Sequence, residues 1–145
     1  MTNSARPIAL VTGASAGIGL QTALGLARAG MRVVIVGRNR GRTEAARRFV
    51  ADRVPAAEAE TALADFASLA AVRGLAADIL ARHQRLDVLV NNAGLIAPRF
   101  APSADGYEMT IAVNHLAPFL LTNLLLDRLR ASAPARVVTV ASQAH

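Results

Sequence analysis

The chain has 145 residues, of which 53% are hydrophobic, 18% are charged and none is cysteine. That is enough apolar material for one packed domain, and it excludes disorder, a disulfide framework, a thiolate metal site and a cysteine nucleophile. The formal charge is +6 and all 16 basic residues are arginine, yet they are scattered from Arg6 to Arg136, and aromatics at 3% are too sparse for base stacking, so nucleic acid is not an expected partner and no metal site is expected. The start of the chain lacks a signal peptide, and no uninterrupted apolar run reaches the roughly 18 residues of a membrane span, so the expectation is a cytoplasmic protein.

In chain order, Ile8 to Thr12 is a short run of β-formers closed by Gly13, and the glycine-punctuated stretch through Gly19 leads into an Ala/Leu-rich helix ending at Gly30. Arg32 to Val36 is a second strand, followed by a helix whose apolar positions are Ala46, Phe49, Val50 and Val54. A third, alanine-rich strand is expected within Ala59 to Ala64. Ser68 then caps a helix with the apolar face Leu69, Val72, Ala76, Ile79 and Leu80. Leu86 to Val90 is a fourth strand running into Asn91-Asn92-Ala93-Gly94. A long helix is expected from Gly106 to Ala131, bent at Pro118 where an amide is missing, and a fifth strand from Arg136 to Ala141. Apolar strands alternating with helices predict a doubly wound α/β fold, a Rossmann-type parallel sheet covered on both faces, with residues 1–145 as its one domain.

The turn TGASAGIG, Thr12 to Gly19, joins the first strand to the first helix. Gly13 permits the tight turn, Gly17 removes a Cβ from the path of a ligand, and Gly19 allows close packing at the helix start. The amides and partial positive charge of that helix end suit a pyrophosphate, which makes Gly13, Ser15, Gly17, Ile18 and Gly19 candidate dinucleotide contacts. Gly13 to Gly17 also reads G-x-S-x-G, the nucleophile elbow of a hydrolase, for which Asp87 and His145 can be nominated only by their order in the chain. A hydrolase elbow follows several strands rather than the first, and does not call for Gly19.

At the end of the second strand an NAD-selective site places an acidic residue. Here stand Gly37, Arg38, Asn39 and Arg40. The guanidinium of Arg38 suits a 2′-phosphate, so NADP(H) is expected over NAD(H); for Arg40 and Arg42 a solvated helix start remains equally open.

With TGASAGIG, NNAG and the Asn114 segment in order, the chain resembles the short-chain dehydrogenases/reductases, and DFASL (Asp65 to Leu69) with VNHLAPFLLT (Val113 to Thr122) is most similar to their retinol-dehydrogenase-like branch. The resemblance implies a sheet order of 3-2-1-4-5 and hydride exchange between NADP(H) and a small carbonyl or alcohol, apolar in this branch. It implies that Asp65 accepts a hydrogen bond from the adenine amino group, and that Asn91 lines the adenosine side while Ala93 and Gly94 let the cofactor pass. Asn92 would stabilise the sheet. It further implies that Asn114 holds a water in a proton relay, and that Ser142 binds the substrate's reacting oxygen.

The family's Tyr-x-x-x-Lys pair is missing. The chain has one tyrosine, Tyr107, with Ile111 four residues on, and no lysine. A free tyrosine ionises near pH 10 and is a poor base at neutrality. The expectation is the N-terminal part of a longer, homo-oligomeric enzyme, truncated before the C-terminal strands, inactive alone and poorly soluble because its fifth strand becomes an apolar edge. The alternative is a stand-alone dinucleotide-binding module without catalysis.

Overall fold

In the computed structural model, which describes residues 5–143, the apolar runs become five parallel strands: β1 (Ile8–Thr12), β2 (Arg32–Gly37), β3 (Ala59–Leu63), β4 (Val88–Asn91) and β5 (Arg136–Thr139). They lie in the order β3-β2-β1-β4-β5. The helices between them are α1 (Gly17–Arg28), α2 (Arg40–Arg53), α3 (Leu69–Arg82), the short α4 (Met109–Ile111) and α5 (Ala117–Ala131).

Strand pleating sends successive side chains to opposite faces, and β1 and β2 show the result residue by residue. Ile8, Leu10, Val34 and Val36 join one core with Val72 and Ile79 of α3 and Leu121 and Leu125 of α5. Ala9, Val11, Val33 and Ile35 join another with Ala23 and Leu24 of α1 and Ala46 and Val50 of α2. Burying a side chain of this size stabilises by roughly 1.5–3 kcal/mol, which is why runs apolar at every position fold as strands covered on both faces.

Local signals set the ends. Asn39 caps α2 by accepting the Arg42 amide at 2.9 Å, and Ser68 caps α3 by accepting the Ala71 amide at 3.2 Å. Gly30, at φ 89°, takes the left-handed conformation that ends the first helix segment. At the amino edge of the sheet, Asp87 accepts the Ile8 amide at 2.7 Å and the Arg85 guanidinium at 2.8 and 2.5 Å. Burial pushes the Asp87 carboxyl upward, but the hydrogen bonds from Arg85 and Ile8 and the Arg85 charge outweigh it and hold the group below the usual carboxylate range.

Two expectations change. The long helix begins at Met109 rather than Gly106, because Glu108 caps it by accepting the Thr110 and Ile111 amides, each at 2.9 Å, while Gly106 sits in a turn at φ 82°. The irregular turn falls before Pro118: residues Ala112–Leu116 form a π-helical turn that leads into α5, where the proline occupies the first turn and its missing amide is tolerated. Together Met109–Ala131 are 23 helical residues of mean hydropathy 1.5, long and apolar enough to cross a membrane by length and composition. Asn114, His115, Thr122 and Asn123 interrupt this stretch, so it holds no unbroken apolar run of that length. In the structure Ala117, Leu121, Leu125 and Leu129 are buried in the core against α3 and β4. Strand β5 stops at Thr139, two residues short of the expected end, and is exposed along its length.

Candidate functional site

Strand order reverses at β1, whose neighbours are β2 on one side and β4 on the other. A ligand cleft opens at such a switch point, outside the carboxyl ends of the strands. Thr12, the last residue of β1, is fully buried although polar. Its hydroxyl accepts the amides of Asn92 and Ala93, both at 3.0 Å, and donates to the Val90 carbonyl at 3.3 Å. Asn92 returns the tie, its amide donating to the carbonyls of Thr12 and Gly13 at 3.1 Å. The glycine turn and NNAG are therefore one hydrogen-bonded unit, and Asn92 has the structural task expected of it.

The glycines divide by what a side chain would meet. A Cβ on Gly13 would fall 2.7 Å from the Ala93 Cα, and one on Gly19 would fall 2.4 Å from the Gly13 carbonyl oxygen, so both are required by packing. Gly17 differs in its surroundings: it shares a left-handed φ with Gly13, at +58° and +60°, but a Cβ there meets no protein atom within 4 Å. Helix α1 starts at this residue, with Ala16 as its cap, no side chain bonded to its first amides and no acidic residue in its first turn. A helix end left uncapped behind an open glycine suits an anionic ligand.

The cleft of about 390 Å³ that begins here has three walls. Gly13, Ser15 and Ala16 form the floor; Gly37, Arg38, Arg42 and the turn Ala64 to Ala67 form one side; Ala93, Gly94 and Leu95, with Met109 and Val113, form the other. Of the candidate residues, Gly13, Ser15, Arg38, Asp65, Ala93 and Gly94 thus meet around one space. Gly17 and the exposed Ile18 stand beside it at the helix start. Asn91 does not join them: its side chain turns under the sheet and donates to the Thr122 hydroxyl at 3.0 Å, leaving a buried oxygen with no protein partner. Asp65 accepts the Ala67 amide at 2.9 Å through one carboxylate oxygen, an Asx turn that keeps the other oxygen for a ligand.

Asn114 lies in the π turn, beside Gly94. Both polar atoms of its side chain are used on one residue: its oxygen accepts the Leu95 amide and its nitrogen donates to the Leu95 carbonyl, each at 2.8 Å. Its main-chain carbonyl has no α-helical donor four residues on, because that residue is Pro118. Ser142 follows β5 on the carboxyl edge, three residues past the Thr139–Asn91 pair, and is exposed. The hydrolase alternative fails on geometry, since Ser15 is at the carboxyl edge and Asp87 is committed to Arg85 and Ile8 at the amino edge; His145 lies outside the described residues. Among residues the motifs did not nominate, Thr12 is the hub of the turn and Arg42 joins Arg38 on the cleft wall. A threonine closing a buried strand was a signal for the first; its place in the cluster Arg38, Arg40 and Arg42 was a signal for the second.

A parallel sheet in this order, with a glycine turn and an uncapped helix at its switch point, defines a doubly wound dinucleotide-binding protein. The chain belongs to the short chain dehydrogenase family, whose model matches residues 7–145. Human retinol dehydrogenase 13 is 44% identical over 136 residues, covering 94% of this chain and 41% of that protein. Dehydrogenase/reductase SDR family member 13 of Bos taurus is 47% identical over 137 residues, covering 94% and 36%. The retinol dehydrogenase branch read from the sequence is thus matched by these relatives, and the chain spans about two fifths of their length. A metagenomic short-chain oxidoreductase solved in complex with NADP superposes with a TM-score of 0.81 at 34% identity, over 95% of this chain and 63% of that one.

Proposed function

We propose that this chain supplies the cofactor half of an oxidoreductase that prefers NADP(H) to NAD(H) and exchanges hydride with a small carbonyl or alcohol. The observation that carries the reading is the pair Arg38 and Arg42 on the cleft wall, with no acidic residue anywhere between Gly37 and Thr43. Two guanidinium groups on either side of the Asn39 cap suit a ribose 2′-phosphate, with no carboxylate between them in the sequence. The amides at the start of α1 hold the pyrophosphate, and the second oxygen of Asp65 accepts from the adenine amino group. Ala93 and Gly94 leave room for the chain of the cofactor between β1 and β4.

A nicotinamide bound here supplies hydride exchange with the substrate carbon. On the protein side, Ser142 donates to the reacting oxygen of the substrate, and the Asn114 carbonyl holds a water of the proton relay. The exposed Ile96, Phe100 and Ile111 beyond NNAG support an apolar substrate, in keeping with the retinol named for the relatives. With one tyrosine, Tyr107, and no lysine, this chain holds no Tyr-x-x-x-Lys pair of its own.

Calorimetric titration of the full chain with NADPH and NADH tests the reading. Tighter binding of NADPH is expected, with Arg38→Asp abolishing the preference. Equal affinities in the unmodified chain, or a preference that survives Arg38→Asp, overturn the assignment of the 2′-phosphate. A parent that binds NADP(H) but exchanges no hydride with carbonyls or alcohols would instead be a binding module.

A further inference from the structure

The segment between β4 and α4 is fastened at both ends. At one end, the Ala104 amide donates to the Ala67 carbonyl at 3.0 Å, and the Asp105 carboxylate accepts the Leu69 amide at 2.8 Å from 36 residues further along the chain. At the other end, the Met109 amide donates to the Ala101 carbonyl at 2.8 Å, and Glu108 caps α4. Between them the segment is closed on itself: the Ser103 amide donates to the Tyr107 carbonyl at 2.6 Å, the Gly106 amide to the Ser103 carbonyl at 3.0 Å, and the Tyr107 amide to the buried Ser103 hydroxyl at 3.2 Å. The result is a stiff strap that joins the turn Asp65 to Ser68 to the helix carrying Asn114.

That turn is a wall of the cleft, and its other fastenings are local bonds and main-chain bonds to Gly37 and Ala104. Asp65 bonds to Ala67 and, through its carbonyl, to the Ser68 amide at 3.1 Å, and the Ala64 amide reaches the Gly37 carbonyl at 3.1 Å. Helix α3 already has a cap in Ser68, so the carboxylate of Asp105 adds more than a cap: it fixes the turn to a distant part of the chain. We propose that Asp105 is a positioning residue for the cofactor, holding the adenosine wall in its binding geometry from outside the cleft. The proposal rests on the dinucleotide reading above. Without the tether the turn samples open conformations, and the apparent dissociation constant rises by the inverse of the fraction that stays closed.

The test is calorimetric titration of the full chain with 2′,5′-ADP and with NADPH, at a temperature where circular dichroism shows every variant folded. Asp105→Ala is expected to weaken both about tenfold, corresponding to about a tenth of molecules remaining closed, whereas Asp105→Asn, which keeps an acceptor oxygen, stays within about twofold of the unmodified chain. Asp105→Ala binding 2′,5′-ADP normally while melting earlier overturns the proposal, because Asp105 is then a helix cap only. A second measurement does not depend on a variant folding: 2′,5′-ADP at saturation is expected to slow hydrogen exchange at the Leu69 and Ala104 amides, and unchanged exchange there also overturns it. Failure of the unmodified chain to bind either compound refutes the dinucleotide reading instead.

Discussion

Replacing Thr12 with valine keeps the shape of a fully buried side chain and removes its hydroxyl. Two amides, Asn92 and Ala93, then lose the acceptor they share at 3.0 Å, and the Val90 carbonyl loses a donor. An orphaned buried donor costs about 1–3 kcal/mol. Asn92 and Ala93 are half-buried, so water recovers part of this, and the expected loss is about 2–4 kcal/mol. Thr12→Ser separates the hydroxyl from the methyl: it keeps all three hydrogen bonds and loses one buried methyl group, at about 1 kcal/mol. Urea denaturation of the two variants beside the unmodified chain measures both numbers. Thr12→Val within 0.5 kcal/mol of the unmodified chain, or less destabilised than Thr12→Ser, would refute the hub assigned to this hydroxyl.

Gly19→Ala puts a Cβ 2.4 Å from the Gly13 carbonyl oxygen and 2.5 Å from the Asn92 side-chain nitrogen, and is expected to cost about 3 kcal/mol or more; Gly17→Ala meets no atom and carries only a left-handed backbone penalty of about 1–2 kcal/mol. If urea denaturation ranks them in the opposite order, the packing account of Gly19 is wrong. The carboxyl of Asp87 is held low in the folded state, so its contribution is complete above the unfolded value of about 3.9 and disappears as pH falls through the folded value. The stability gap between the unmodified chain and Asp87→Asn should therefore be widest near neutrality and shrink below about pH 4; a gap undiminished at pH 2 contradicts this. Asn114→Ala releases both bonds to Leu95, and hydrogen exchange at the Leu95 amide should quicken at least about tenfold, the effect of about 1.4 kcal/mol. Unchanged exchange there would mean that the clamp contributes nothing.

What the sequence reveals and what it hides divide by distance along the chain. β1 matches its apolar run to the residue, and the cap at Ser68 acts within three residues of itself, so composition and spacing suffice for them. Repeating βα units make a parallel sheet covered on both faces legible, while the order of its strands comes from what the family resemblance implies. The side-chain direction of Asn91 could not be read from its motif: adjacent strand residues face opposite ways, and which face each takes depends on how β4 pairs with β1. The π turn at Asn114 was hidden because hydrophobic spacing does not register one extra residue per turn. The link from Asp105 to Leu69 spans 36 residues and leaves no periodic trace, so only coordinates show it.

The alternation of β1 and β2 between two cores separates neighbours in the chain into unconnected compartments. Val33 and Val34 are joined by a peptide bond, yet one leans on α1 and α2 and the other on α3 and α5. Truncating both should thus give penalties that simply add, as for residues far apart in a protein, whereas Val34 with Leu121, 87 positions along the sequence, share one compartment and should show non-additive coupling.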